Sequence, residues 1–171
     1  MALTGQEREI GLRNVVVDIS GFAVTKDPSE VLVTYSLGSC LGLTLYDPVA
    51  GVAGLVHCML PLSRLHPEEA HRQPGKFVDT GVVALLRALF NRGAQPERLV
   101  VKAAGGASPS GMGGGYFQIG ERNTIILRRV LWKNGIALAA ADLGGQVSRT
   151  LCLDIGSGRT VLRSGPHEKE L

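Results

Sequence analysis

Apolar and polar residues alternate through Val15-Val16-Val17-Asp18-Ile19 and Gly21-Phe22-Ala23-Val24, and Lys26-Asp27-Pro28-Ser29 follows as a turn, so the chain opens with a pair of strands. A third strand, Val31 to Tyr35, runs into Ser36-Leu37-Gly38-Ser39-Cys40, where small residues predict a tight turn. A fourth, Leu41 to Tyr46, stops at Asp47-Pro48. Gly51 to Met59 reads as the fifth, closed by Pro61, which has no N–H to give a ladder. The polar stretch Ser63 to Gly75 reads as a loop.

The period then changes. Val78, Val82, Leu85, Leu86, Leu89 and Phe90 recur at helical spacing between Lys76 and Asn91, with Gly93 as the stop. Leu99 to Ala104 is a short strand opening onto a glycine-rich stretch, Gly105 to Gly115, expected to form a long surface loop near the site. Ile126, Leu127, Val130 and Leu131 mark a second helix from Asn123 to Asn134, with Arg122 and Asn123 read as helix-start residues and a substrate-facing role as the alternative. Ile136 to Ala141, Thr150 to Ile155 and Arg159 to Leu162 close the pattern as strands, leaving His167 to Leu171 as a charged tail. The expected fold is α/β: one layered sandwich of a mixed sheet with two main helices, a single domain over 1–171 with its core at about 15–162.

A chain of 171 residues can bury a sizeable core without staples. Its 44% hydrophobic and 19% charged residues exclude a disordered chain. The residues Met1 to Glu9 lack the apolar stretch of a secretory signal and Arg87 interrupts the richest later apolar run, so a cytoplasmic protein without membrane insertion is expected. The net charge of +3 is dispersed and aromatics are few, which argues against a nucleic-acid partner. Three cysteines, Cys40, Cys58 and Cys152, without CxxC spacing suggest neither a disulfide framework nor a metal site, and no cofactor motif is present. The glycine-rich stretch has no Gly-Lys-Ser/Thr ending and no GxGxxG, so it is not read as a nucleotide cradle.

One pair carries candidate chemistry. A thiol attacks carbonyl carbon as thiolate, and an ordinary cysteine has a pKa of about 8.5, so a neighbouring imidazolium is expected to lower it. Cys40 on its turn and His57 near the end of a following strand meet if the two strands pair. Gly38 and Ser39 supply backbone N–H groups of the kind that hold an oxyanion. Cys58, the next residue after His57, faces the other way on a strand and is read as packing, and Cys152 likewise.

Thr34-Tyr35-Ser36-Leu37-Gly38-Ser39-Cys40, Leu45-Tyr46-Asp47-Pro48 and Gly54-Leu55-Val56-His57-Cys58-Met59-Leu60-Pro61 occur in this order, followed by Lys76-Phe77-Val78-Asp79, Gly105-Gly106-Ala107, Ile119-Gly120-Glu121-Arg122-Asn123 and Asp142-Leu143-Gly144-Gly145. With these blocks the chain resembles CheD, the bacterial chemoreceptor glutamine deamidase family, over roughly Val15 to Leu162. The resemblance implies a Cys-His-Thr triad at Cys40, His57 and Thr34, a fold similar to bacterial toxin deamidases, methyl-accepting chemotaxis receptors as substrate and, in some bacteria, a CheC-type phosphatase partner. Ser148 stands where the family usually has glycine before the late arginine, here Arg149. The residues alone leave other readings open: a non-catalytic adaptor, a cysteine peptidase, an acyl transferase or a methylesterase, since each of the last three begins with thiolate attack on an acyl carbon.

Overall fold

Strand β5 (Val52–Cys58) is buried along its whole length, and its side chains alternate between two different cores. Val52, Val56 and Cys58 enter a cluster with helical residues, whereas Ala53 and Leu55 pack with Leu32, Leu153 and Ile155 of a second sheet. This strand is therefore the middle layer of three. The computed structural model describes residues 11–108 and 118–171.

The strands divide into two five-stranded sheets, where the sequence suggested one. The outer sheet has the order β1 (Arg13–Val16), β3 (Glu30–Leu37), β8 (Arg149–Asp154), β9 (Thr160–Ser164), β10 (His167–Glu170). The middle sheet runs β2 (Phe22–Thr25), β5, β4 (Leu41–Asp47), β6 (Val100–Gly105), β7 (Ala140–Leu143). Neighbours are antiparallel except β1 with β3 and β6 with β7. The opening strands β1 and β2 thus lie in different sheets and do not pair with each other. A mixed α/β layered architecture results, with α2 (Val78–Phe90) and α3 (Ile119–Lys133) as its main helices.

Helix α2 buries Val78, Val82, Leu85, Leu86 and Leu89, one stripe at helical spacing, against the middle sheet. It sits close because β5 carries Gly54 beneath it: a Cβ there would lie 2.6 Å from a Leu85 methyl and 2.7 Å from one of Leu89. Helix α3 adds Ile126, Leu127, Val130 and Leu131 to the same core.

Several boundaries differ from the sequence reading. Part of the segment read as a loop, Ser63 to Gly75, is a short helix, α1 (Pro67–Arg72). Helix α3 starts at Ile119, four residues before the predicted start. Only Ala140–Leu143 forms a strand in the region read as Ile136 to Ala141. The residues read as a charged tail contain β10, antiparallel to β9, with Arg163 paired to Glu168 and Arg159 to Glu170 across the pair. The proposed glycine-rich loop lies, from residue 109 on, outside the described residues.

Candidate active site

The turn that carries Cys40 begins with a bulge. Thr34 pairs with Leu151 and Leu37 with Arg149, so β3 spends one residue more than β8 between these pairs, and Ser36 takes the left-handed conformation at φ 59°. The Gly38 N–H then donates to the Ser36 carbonyl at 2.9 Å, turning the chain out of the outer sheet and into β4 of the middle sheet. The sequence Ser-Leu-Gly-Ser suits this, since none of its side chains but Leu37 is buried.

Register puts Cys40 and His57 on one face. Leu41, Leu43 and Leu45 face the helices, so the even residues of β4 face the outer sheet; at Gly42 a Cβ would lie 2.8 Å from a Leu37 methyl. His57 is the cross-strand partner of Gly42, and Cys40 stands two residues before it. Cys40 stands one residue before β4, so continuing the register places it diagonal to His57; no hydrogen bond joins the two side chains, since Nε2 has no partner among the described residues. Glycine at 42 lets Leu37 and Leu151 close over that position, where a Cβ would lie 2.8 and 2.9 Å from their methyl groups.

His57 is fully buried and reaches Thr34 across the two sheets. Thr34 Oγ1 lies 2.7 Å from His57 Nδ1 and 2.7 Å from the Val17 carbonyl oxygen. A carbonyl only accepts, so the single hydroxyl proton of Thr34 goes to Val17, and Nδ1–H must donate to Oγ1. The neutral ring is then the Nδ1–H tautomer, with the Nε2 lone pair free; Nε2 has no partner among the described residues. The backbone is fixed too, with the Ser20 N–H donating to the His57 carbonyl at 2.8 Å and the His57 N–H to Gly21 at 3.0 Å.

Burial lowers the His57 pKa to about 4, opposed by the nearby Asp18 carboxylate. Burial raises that of Cys40, opposed by its own backbone N–H. Both groups are thus neutral at rest. Burial penalises either charge, so the thiolate–imidazolium pair expected from sequence carries a desolvation cost that its mutual attraction has to offset.

Of the predicted support residues, Gly38 contributes its carbonyl, which accepts from the Ala107 N–H at 2.8 Å. A Cβ on Gly38 would meet nothing within 4 Å among the described residues. Ser39 is half-buried, and its carbonyl accepts from Asn123 Nδ2 at 2.9 Å. Cys58 faces the helices with its sulfur against Gly81, its thiol pushed well above the ordinary range by burial. Ser148 lies in the exposed loop before β8; the following Arg149 is buried and donates to Asp142 at 2.9 Å and to the Gly144 carbonyl at 2.8 Å.

Sequence reading missed two contributors. Asn123 was taken as a helix-start residue, yet it is the fifth residue of α3, wholly buried, and its Nδ2 also donates to the Met59 carbonyl at 3.2 Å. Asp18, whose charge acts on His57, sat in an alternating strand pattern with no signal of its own. Among the described residues, no group of three or more His, Cys, Asp or Glu side chains is placed to hold a metal ion.

An imidazole lone pair without a partner among the described residues and a half-buried thiol on the adjoining turn form the kind of constellation that performs acyl transfer at sulfur. Residues 59–164 match the family model described as CheD chemotactic sensory transduction. The chain is 44% identical over 163 residues to the "Probable chemoreceptor glutamine deamidase CheD" of Solibacter usitatus, covering 94% of each. It is 47% identical over 151 residues to the similarly named CheD 2 of Anaeromyxobacter dehalogenans, covering 88% of this chain and 94% of the relative. The chain belongs to the CheD family. Among solved structures, Neisseria meningitidis protein NMB0706 aligns over 82% of this chain and 65% of that one at 10% identity and a TM-score of 0.42, too remote to bear on the chemistry.

Proposed function

We infer that this chain is a chemoreceptor glutamine deamidase in which Cys40 is the nucleophile, His57 the proton carrier and Thr34 the residue that orients the imidazole. Family membership supports the activity, and the unpartnered Nε2 of a ring locked by Thr34 is the observation that carries the assignment of residues.

The neutral resting pair sets the order of events. As Sγ attacks the carbonyl carbon of a receptor glutamine side chain, Nε2 takes the thiol proton and the carbonyl oxygen becomes an oxyanion. The imidazolium then gives that proton to the amide nitrogen, the C–N bond breaks, ammonia leaves and a thioester remains on Cys40. Water, deprotonated by Nε2, attacks the thioester and yields glutamate and the free thiol. Thr34 Oγ1 accepts from Nδ1–H throughout and keeps Nε2 directed to the reacting atoms. A regulatory CheC-type partner and a cytoplasmic location belong to the same proposal. Among the described residues no helix is long and apolar enough to cross a membrane.

The test is deamidation of a receptor cytoplasmic fragment, read as a mass gain of about 1 Da per converted site, followed across pH. His57 must be neutral to act, and its pKa is lowered to about 4, so protonation removes the base only as pH falls through that value. The expected kcat/KM of the free enzyme is level through neutrality and drops near pH 4. An acid limb at about 6.5 would show an unshifted imidazole, and no mass gain on any receptor would remove the deamidase reading.

A further inference from the structure

We propose that Asn123 is a positioning residue for catalysis, acting through the peptide groups that flank Cys40; the proposal rests on the deamidase reading above. The Asn123 side chain is fully buried, and its Nδ2 spans the two catalytic segments by donating to Ser39 on one side and Met59 on the other. Flipping the amide would set Oδ1 against two carbonyl oxygens, so its orientation is fixed by chemistry. The cost of this arrangement is visible: Oδ1 is buried and has no partner among the described residues. An apolar side chain of the same size would avoid an orphaned acceptor, so packing alone does not account for the amide.

What the two donated bonds accomplish follows from peptide geometry. In a planar trans peptide the C=O and the N–H of one unit point in opposite directions. Drawing the Ser39 carbonyl toward α3 therefore turns the Cys40 N–H away from α3. The same relation holds on either side, where the Ala107 N–H takes the Gly38 carbonyl and the Gly106 N–H takes the Cys40 carbonyl, each at 2.8 Å. Three successive carbonyls are thus combed to one side of the turn. Among the described residues the Ser39 and Cys40 N–H groups donate to no other backbone group, while the Gly38 N–H is spent on Ser36. The Cys40 N–H already favours charge on its own sulfur. These two N–H groups are the donors available to an oxyanion forming beside Sγ; two of the clamps aim them, the Ala107 N–H on the Gly38 carbonyl and Asn123 on the Ser39 carbonyl, and Asn123 is the side chain of the two.

The experiment compares two reactions of the same sulfur. Alkylation of Cys40 by iodoacetamide displaces iodide at a methylene carbon and creates no carbonyl oxyanion, whereas deamidation does. In the full-length Asn123→Ala variant, kcat for a receptor fragment is expected to fall about 10²-fold while the limiting alkylation rate at high pH, where the thiol is fully ionised and its N–H no longer sets the thiolate fraction, stays within about threefold of wild type. A purely structural role would lower both together or neither. Equal losses, or a kcat within about threefold of wild type, overturn the proposal. If the alanine variant does not fold, Asn123→Leu, which is similar in size and has no amide donor, is measured in the same way and must show the same split. A wild-type protein that is alkylated at Cys40 but converts no receptor glutamine overturns the deamidase reading itself, and this proposal with it.

Discussion

Replacing Cys40 by alanine is expected to abolish deamidation, by at least about 10⁴-fold in kcat, while leaving the fold intact. Both halves follow from where the residue sits. Its side chain is half-buried at the edge of the small cluster of Leu37, Ala104, Leu151 and Leu162, and the bond that fixes the turn is made by its carbonyl rather than its sulfur. Losing one atom at such an edge costs about 1 kcal/mol or less, a small shift in melting temperature. No other thiol can substitute: Cys58 lies on the opposite face of β5 with its ionisation suppressed by burial, and Cys152 packs in β8 across from Val33. Deamidation by the variant within about tenfold of wild type, checked by receptor mass and a thermal melt, would refute the assignment of the nucleophile.

The second large effect is expected at a residue with no chemistry of its own. Gly105 ends β6 at φ 113°, a conformation side-chain-bearing residues rarely adopt, and a Cβ there would overlap the Cys40 carbonyl oxygen. The next residue, Gly106, gives its N–H to that same carbonyl. Gly105→Ala must therefore either distort β6 or push the Cys40 carbonyl off its donor. A loss of about 3 kcal/mol or more is expected from the combined strain and overlap, with deamidation falling alongside stability. Gly38→Ala is the control: with nothing within 4 Å of its Cβ among the described residues and no positive φ, it should melt within about 0.5 kcal/mol of wild type. Equal stability of the two variants, measured by denaturant or thermal unfolding, would contradict this.

What the sequence made legible, and what it did not, divides along physical lines. Strands β4 and β5 and helix α2 were readable because apolar runs of the right period lie between Asp47-Pro48, Gly51, Pro61 and Gly93. The partners of β1 and β2 were not, because pairing joins segments whose sequences do not refer to each other: β1 lies along β3 but β2 along β5. Strand β10 is exposed at every position and carries His, Glu, Lys and Glu, so it buries nothing that could betray it; charge of this kind is how edge strands are kept from pairing with other chains. The early start of α3 was hidden by Gly120, which is there for close approach, since a Cβ would run into the Ala107 and Gly106 carbonyls.

At the candidate site, the turn and strand pattern marks Cys40 and His57, and motif order adds Thr34, which lies 2.7 Å from His57 Nδ1. The protonation state was not legible, because it depends on burial, and burial depends on the second sheet closing over His57. Asn123 was passed over because its partners lie 84 and 64 residues away, and nothing in a helix sequence announces that an asparagine will meet two distant carbonyls.

The most direct measurement is to run the receptor reaction in hydroxylamine at neutral pH. A thioester on Cys40 partitions between water and the added amine whichever step limits the rate, so some glutamines should emerge as hydroxamates, about 16 Da heavier, with Cys40→Ala forming neither product. If glutamate alone forms, at an undiminished rate whatever the hydroxylamine concentration, water attacks the amide directly and the sulfur is not the nucleophile.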